Sequence, residues 1–231
     1  MTEREIFEIE NTRPHVVILG AGATIATIPN GDKNGNPCSV MHGFIHNLGL
    51  DTILATVKLN TKSENIEDIY SELYERGDEC KAVREQLEEA IFSYLSRLEL
   101  PAEITVYDEI ILALTQKDMI ATFNWDPLLI QAYNRARKLT TNLPKLTFLH
   151  GNVAAGYCER CGHFGALQRV KCDNCGAAYH RSPLLFPVKH KDYNSNPFIK
   201  QQWTILNEFL SRAKMLTIFG YSAPKTDVEA A

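Results

Sequence analysis

No apolar run in this 231-residue chain approaches the roughly 18 residues needed to cross a bilayer. A membrane-spanning protein is therefore not expected. Neither sign of charge is in large excess: 24 Lys and Arg stand against 28 Asp and Glu, a net charge of −4. No Arg/Lys stripe is present that could neutralise phosphates along a duplex, so nucleic acid is not an expected direct partner. Met1 to Glu10 is acidic and polar, without the basic and then apolar regions of a signal peptide. The six cysteines are too sparse for the disulfide framework of a small secreted chain. These absences predict a cytoplasmic protein. Apolar residues make up 45%, enough for one large core, and the length predicts one large domain or one domain plus a small insertion.

Four of the cysteines are grouped. Cys158-Glu-Arg-Cys161-Gly162 and Cys172-Asp-Asn-Cys175-Gly176 are two Cys-x2-Cys knuckles ten residues apart. That spacing lets four thiolates converge on one tetrahedral Zn²⁺. A disulfide or redox pair would explain one knuckle and not both. With all four positions taken by cysteine, the zinc would be structural. The module is expected to span residues 156–180.

Around it, short β-branched or apolar runs alternate with helical periodicity. Strands are predicted over Pro14–Leu19, Met119–Phe123, Lys145–Leu149, Leu184–Val188 and Met215–Phe219. Helices are predicted from Asn65 to about Leu98, divided at Gly77, then over Tyr107–Thr115, Pro127–Ala136 and Pro197–Arg212. The alternation predicts an α/β fold with a doubly wound parallel sheet, interrupted by the zinc ribbon. One domain covers 1–231. Asp227 to Ala231 has the look of a first helical turn that is then cut, as in a piece of a longer protein.

Ligands of such sheets bind outside the carboxyl ends of the strands. Four segments fall there: Gly20-Ala21-Gly22-Ala-Thr24, Thr122-Phe-Asn124-Trp-Asp126, His150-Gly151 and Gly220-Tyr-Ser222. The first can cradle a pyrophosphate with its backbone amides, or can be a purely structural turn. It is not the ordinary dinucleotide fingerprint, since Ile25 stands where a third glycine belongs. Asp126 precedes Pro127 and suits a helix cap. Asn124, a polar amide closing an apolar strand, is better placed to touch a ligand than to pack. His150 is either a structural histidine or a general base near neutral pH.

The order Gly-Ala-Gly, Thr-x-Asn-x-Asp, His-Gly, paired zinc knuckles and Gly-x-Ser resembles the sirtuin (silent information regulator) family over about Val16 to Asp227. The resemblance implies a Rossmann-like NAD-binding domain with a small zinc module, consuming NAD⁺ by breaking its nicotinamide–ribose bond. It further implies that Gly20, Ala21, Gly22 and Thr24 wrap the dinucleotide and that Asn124 and Asp126 line the nicotinamide–ribose pocket. It implies His150 as catalytic base and Gly220 and Ser222 as a second phosphate- and ribose-binding turn. Three departures separate the chain from the deacylases. Ile28-Pro29 runs into Asn30-Gly31-Asp32 instead of Asp-Phe-Arg, Phe123 stands where glutamine is usual, and Pro183 to His190 replaces the strand that docks an acyl-lysine peptide, with Pro187 lacking an amide donor. These departures look more like divergent bacterial sirtuin-like domains, many of them NAD⁺ hydrolases in anti-phage defence joined to a sensor or partner domain. An NAD⁺ hydrolase is therefore expected, with a homo-oligomer among its expected assemblies. The alternatives are an NAD-dependent protein-lysine deacylase acting on an acyl-lysine protein, a catalytically silent NAD⁺ or ADP-ribose sensor, and a protein-interaction ribbon on a degenerate scaffold.

Overall fold

The computed structural model describes residues 1–38, 43–167, 171–186 and 196–223. The chain opens on helix α1 (Glu3–Thr12), which the acidic, polar reading of this segment did not anticipate, and enters strand β1 (His15–Leu19). A long excursion follows through α2 (Ala21–Thr27), the short helices α3 (Phe44–Asn47) and α4 (Asp51–Leu54), α5 (Ile66–Glu75), a 3₁₀ turn (Gly77–Cys80), α6 (Lys81–Leu95) and α7 (Val106–Ala113). Gly77 divides α5 from α6 as its sequence suggested. Then come β2 (Met119–Thr122), α8 (Leu128–Ala136) and β3 (Lys145–Phe148). The cysteine module contributes β4 (Ala155–Tyr157), β5 (Phe164–Ala166) and β6 (His180–Arg181), and α9 (Pro197–Leu210) leads into β7 (Met215–Phe219). Leu184 to Phe186, expected to begin a strand, lie outside any strand, and Pro187 to His190 fall outside the described residues, as do Asp227 to Ala231.

Strands β3, β2, β1 and β7 form one sheet in that order, all parallel. Period-2 alternation assigns the faces. Val17 and Leu19 of β1 and Ile120 of β2 join a large cluster with Ile111 of α7, Leu129 and Ala132 of α8 and Leu87 and Ile91 of α6. Val16, Met119 and Ala121 point the other way, onto Leu206 and Phe209 of α9. Both faces are thus covered, which is why β1 and β2 read as unbroken apolar runs. The cysteine module is a separate antiparallel sheet, ordered β5-β4-β6. It is rooted by Ala155, which packs with Phe148, Phe198 and Ile199. Arg181 of β6 reaches α6, lying 4.2 Å over the Phe92 ring and 3.1 Å from Glu89.

The helix starts follow local chemistry. Asn65 accepts from the Glu67 amide at α5, and Asn196 accepts from Phe198 at α9, where Pro197 takes the first position. Thr105 and Asp108 form a capping box at α7. Asp108 also pairs with Arg135 of α8, whose guanidinium further donates to the carbonyls of Pro101, Ala102 and Glu103. Burial alone would raise the Asp108 pKa, but the Arg135 and Thr105 donors outweigh it and hold the carboxyl below its usual range. The pair's contribution is therefore full above the ordinary carboxylate pKa of about 4 and is lost as pH falls through the depressed folded value. Asp108→Ala, which strands Arg135 without its partner, should cost about 3–5 kcal/mol in urea unfolding at pH 7. The gap between variant and native chain should narrow on acidification toward pH 3; a cost independent of pH would contradict this account.

Candidate functional site

The strand order reverses direction at β1: the chain winds from β1 to β2 and β3 on one side, and β7 lies on the other. In doubly wound sheets the crevice at such a reversal, past the carboxyl ends of the strands, is where ligands bind. The ends are level. Leu19 is in register with Thr122 and with Phe219, and Thr122 with Phe148. One or two residues beyond that shared rung lie Gly20, Asn124, His150 and Gly220. Segments separated by most of the chain thus meet along a single edge.

The first turn is held tightly against the loop after β7. Gly20 donates to the Phe219 carbonyl at 3.0 Å and Gly22 to the Gly220 carbonyl at 2.8 Å, while the Ala23 amide bonds to the Gly20 carbonyl at 2.9 Å. A Cβ on Gly20 would lie 2.6 Å from the Gly220 oxygen, and one on Gly220 (φ +66°) would lie 2.1 Å from the Ala23 nitrogen. These glycines therefore permit two backbones to touch. Three of the amides that could have faced a pyrophosphate are already engaged inside the protein. Gly20, Ala21, Gly22 and Gly220 shape the crevice more than they line it with donors. Ser222 is exposed, beyond this contact.

Behind the turn lies a buried polar knot. The Asn124 side-chain nitrogen donates toward the Gly20 carbonyl at 2.8 Å, the Thr24 hydroxyl at 2.9 Å and the Tyr107 hydroxyl at 3.1 Å. Thr24 in turn donates to Asp126 Oδ2 at 2.7 Å and lies 2.8 Å from the Tyr107 oxygen. Asp126 Oδ1 accepts from the Leu128 amide at 3.1 Å; α8 begins at Leu128, one residue later than expected, with Pro127 rather than Asp126 at the cap position. Both of its oxygens thus face the protein, so Asp126 stands behind Asn124 as support. Burial raises its pKa, and the Thr24 and Leu128 donors oppose that shift. Tyr107 is fully buried, and burial pushes its phenol well above its ordinary pKa. Nothing in the sequence marked Tyr107, a residue 83 positions from Thr24. Its helical apolar face offered only core as an explanation.

His150 is buried, 6% exposed, and meets the Phe123 ring edge-on at 4.8 Å; Phe123 stacks at 4.3 Å on Tyr221. The residue before Asn124 thereby braces the histidine and the β7 loop together. The His150 carbonyl accepts from Leu185 at 2.9 Å. Gly151 (φ +81°) lets this segment pass, since a Cβ there would lie 1.8 Å from the Pro183 oxygen. Asn152, also unmarked in the sequence, is fully buried. It donates to the Asp126 carbonyl at 2.6 Å and shares reciprocal bonds with Ser182, so it links the β2, β3 and post-ribbon loops. Phe186 lies between Tyr70 (4.8 Å, stacked) and Trp125 (5.0 Å), joining the same segment to α5.

The two knuckles close as expected. Gly162 donates to the Cys158 carbonyl and Gly176 to the Cys172 carbonyl, both at 2.8 Å. The four sulfurs of Cys158, Cys161, Cys172 and Cys175 lie within 4.8 Å of one another. Tetrahedral bonds of about 2.3 Å to a central ion require sulfurs a little under 4 Å apart, so the residues fit a metal ion. Hydrogen bonding, chiefly from the Asn174 side chain, lowers the Cys161 pKa to about 6, while its contacts with the other three thiols push Cys175 up to about 12, so the four sulfurs share their protons unequally. Among the described residues this is the one group of three or more potential ligands close enough to share an ion. No helix among them is long and apolar enough to cross a membrane.

No protein-family model matches the chain, and no curated protein sequence matches it. Solved structures do. The chain is similar along its whole length to Sir2 structures. A Sir2 bound to acetylated peptide is 19% identical with a TM-score of 0.44, and the alignment covers 100% of this chain and 81% of that one. A complex of a Sir2 homolog with NAD is 14% identical at 0.42, covering 100% and 77%. A Sir2 homologue bound to ADP-ribose is 13% identical at 0.39, covering 100% and 80%. Likeness at this level says nothing of what the present chain binds; that rests on its own residues. The most direct check concerns the cysteines. Purified protein should carry about one tightly held metal ion per chain by elemental analysis, and Cys172→Ser should lose it together with solubility. A native chain that stays metal-free and folded after exposure to Zn²⁺ would refute the site.

Proposed function

We propose that this chain cleaves NAD⁺ at the nicotinamide–ribose bond, and that water is the acceptor. The observation that carries the reading is the pinned Asn124 carboxamide on the same strand-end edge as His150, at the point where the strand order reverses. The Gly20 carbonyl has no hydrogen to give, so it fixes which end of the Asn124 amide is nitrogen. The amide oxygen takes no bond from any described residue and is left as an acceptor. Such an acceptor suits a ribose hydroxyl or a water molecule.

The reaction breaks the C1′–N bond, and the electron pair leaves with neutral nicotinamide. The sugar passes through an oxocarbenium-like state, water adds at C1′, and its proton goes to a base, giving ADP-ribose. His150 is the base in this reading, held by the Phe123 ring. Asn124 orients the attacking water or the ribose, and Asp126 supports it from behind by holding Thr24 and the Leu128 amide. The glycine contact of the first turn brings the backbone close enough for a dinucleotide to lie across β1 and β7. The metal is zinc in this reading. Held by four thiolates it has no open position and serves to keep the ribbon folded. It goes with a reducing, cytoplasmic setting, in which such thiols stay available.

Water is favoured over acyl-lysine by Phe123. Deacylases of the resembled family have glutamine there, whereas this ring is locked between His150 and Tyr221. The test is nicotinamide release from NAD⁺ followed by chromatography, with and without an acetyl-lysine peptide. Release should not depend on the peptide, and His150→Ala and Asn124→Ala should each slow it about 100-fold. Release that requires the peptide would make the chain a deacylase. Bound but intact NAD⁺ would make it a sensor, and absence of any binding would defeat the dinucleotide reading altogether.

A further inference from the structure

We propose that Tyr107 is a positioning residue: its buried phenol, behind the strand-end edge, fixes which way the Asn124 carboxamide is turned. Only the kinetic consequence rests on the NAD⁺-cleaving reading; the positioning itself is a property of the ligand-free protein.

A count of hydrogens gives the direction of every bond in the knot. The Asn124 nitrogen has two hydrogens and three acceptors in reach: the Gly20 carbonyl at 2.8 Å, Thr24 Oγ1 at 2.9 Å and Tyr107 Oη at 3.1 Å. One hydrogen goes to Gly20, and the second is shared by the two hydroxyls. With Asp126 ionised, Thr24 gives its single hydrogen to Oδ2 at 2.7 Å. Thr24 can therefore only accept from Tyr107, so across their 2.8 Å contact the phenol is the donor. Tyr107 thus gives its proton to Thr24 and offers its lone pair to Asn124. The chain of bonds has one consistent direction, set by the carboxylate of Asp126, whose other oxygen is held by the Leu128 amide. Burial keeps Tyr107 protonated and able to donate.

The geometry also separates support from contact. Tyr107 is 0% exposed and reaches the knot from α7, while Thr24 comes from α2 and Asn124 from the end of β2. No ligand in the crevice can touch the phenol. Its effect reaches the crevice through the Asn124 amide, whose oxygen takes no bond from a described residue. Without the phenol oxygen, the second Asn124 hydrogen has only Thr24, and Thr24 loses the donor that fixes its lone pairs.

Tyr107→Phe removes one oxygen and preserves the ring. In the ligand-free protein, the ¹⁵N-resolved side-chain amide pair of Asn124, assigned by its disappearance in Asn124→Asp, should shift and its two protons should exchange faster with solvent. In the nicotinamide-release assay, kcat should fall about five- to tenfold, the effect of one hydrogen bond, with KM changed less than twofold. In an Asn124→Ala background the same substitution should change kcat no further, because a residue acting through Asn124 has nothing left to act on. An unmoved Asn124 amide pair in Tyr107→Phe, or effects of the two substitutions that simply multiply, would overturn the proposal. If the native chain releases no nicotinamide, the functional reading falls while the amide spectrum still decides the role of Tyr107. Should Tyr107→Phe not fold, Thr24→Val interrupts the same chain one bond later. Because Thr24 also touches Asn124 directly, the deciding comparison is Thr24→Val against Thr24→Ser, which keeps the hydroxyl that accepts from Tyr107: Thr24→Ser should leave the Asn124 amide pair near its native position, and a pair displaced equally by both would count against the proposal.

Discussion

The contact on which the site depends is between two backbones. Gly22 donates to the Gly220 carbonyl, and neither loop carries a Cβ where they meet. This contact seats the start of α2 directly beyond β1 and beside β7. Thr24, one turn along α2, is thereby placed under Asn124, and Tyr107 follows because α7 packs on α2. Without close approach at Gly20, Gly22 and Gly220, the hydroxyl of Thr24 could not reach both Asn124 and Asp126. The glycine-rich turn thus acts chiefly by what it allows to come near, and only secondarily by its own amides.

Asp126 shows how one carboxylate serves two structural ends. One oxygen accepts from the Leu128 amide at the start of α8 and the other organises Thr24. Its partners are neutral groups, so burial raises its pKa, in contrast with Asp108, where Arg135 holds the carboxyl down. A buried carboxylate opposed only by dipoles is costly to keep ionised.

The ribbon is connected to this site by loops, with His150, Asn152 and Ser182 as the joints. Asn152 bonds to the Asp126 carbonyl and to Ser182, and the His150 carbonyl receives Leu185. Arg181 and Phe186 carry the same segment outward to α6 and α5. A folded ribbon therefore holds the segment that closes the His150 side of the crevice. This gives the four-cysteine cluster a role in the geometry of the strand-end edge.

Much of this was legible locally. The knuckle spacing, the apolar runs of β1 and β2 and the division at Gly77 each depend on residues within a few positions of one another. Sequence therefore determined them. The strand expected at Leu184 was not formed within the described residues because its backbone bonds to the His150 carbonyl outside any ladder. The amides of the glycine turn, open to a phosphate when read from sequence, proved largely engaged by the β7 loop. Tyr107 and Asn152 could not be singled out, since their functional atoms meet partners far away in the chain: Thr24 lies 83 residues from Tyr107, and Asp126 lies 26 from Asn152. A hydroxyl or amide on an apolar face has no distinguishing pattern until packing decides which acceptor lies within 3 Å of it. The sequence alone determined which groups could do chemistry at the strand ends; the packing of α2, α7 and the β7 loop decided which of them are oriented, and in which direction each hydrogen points.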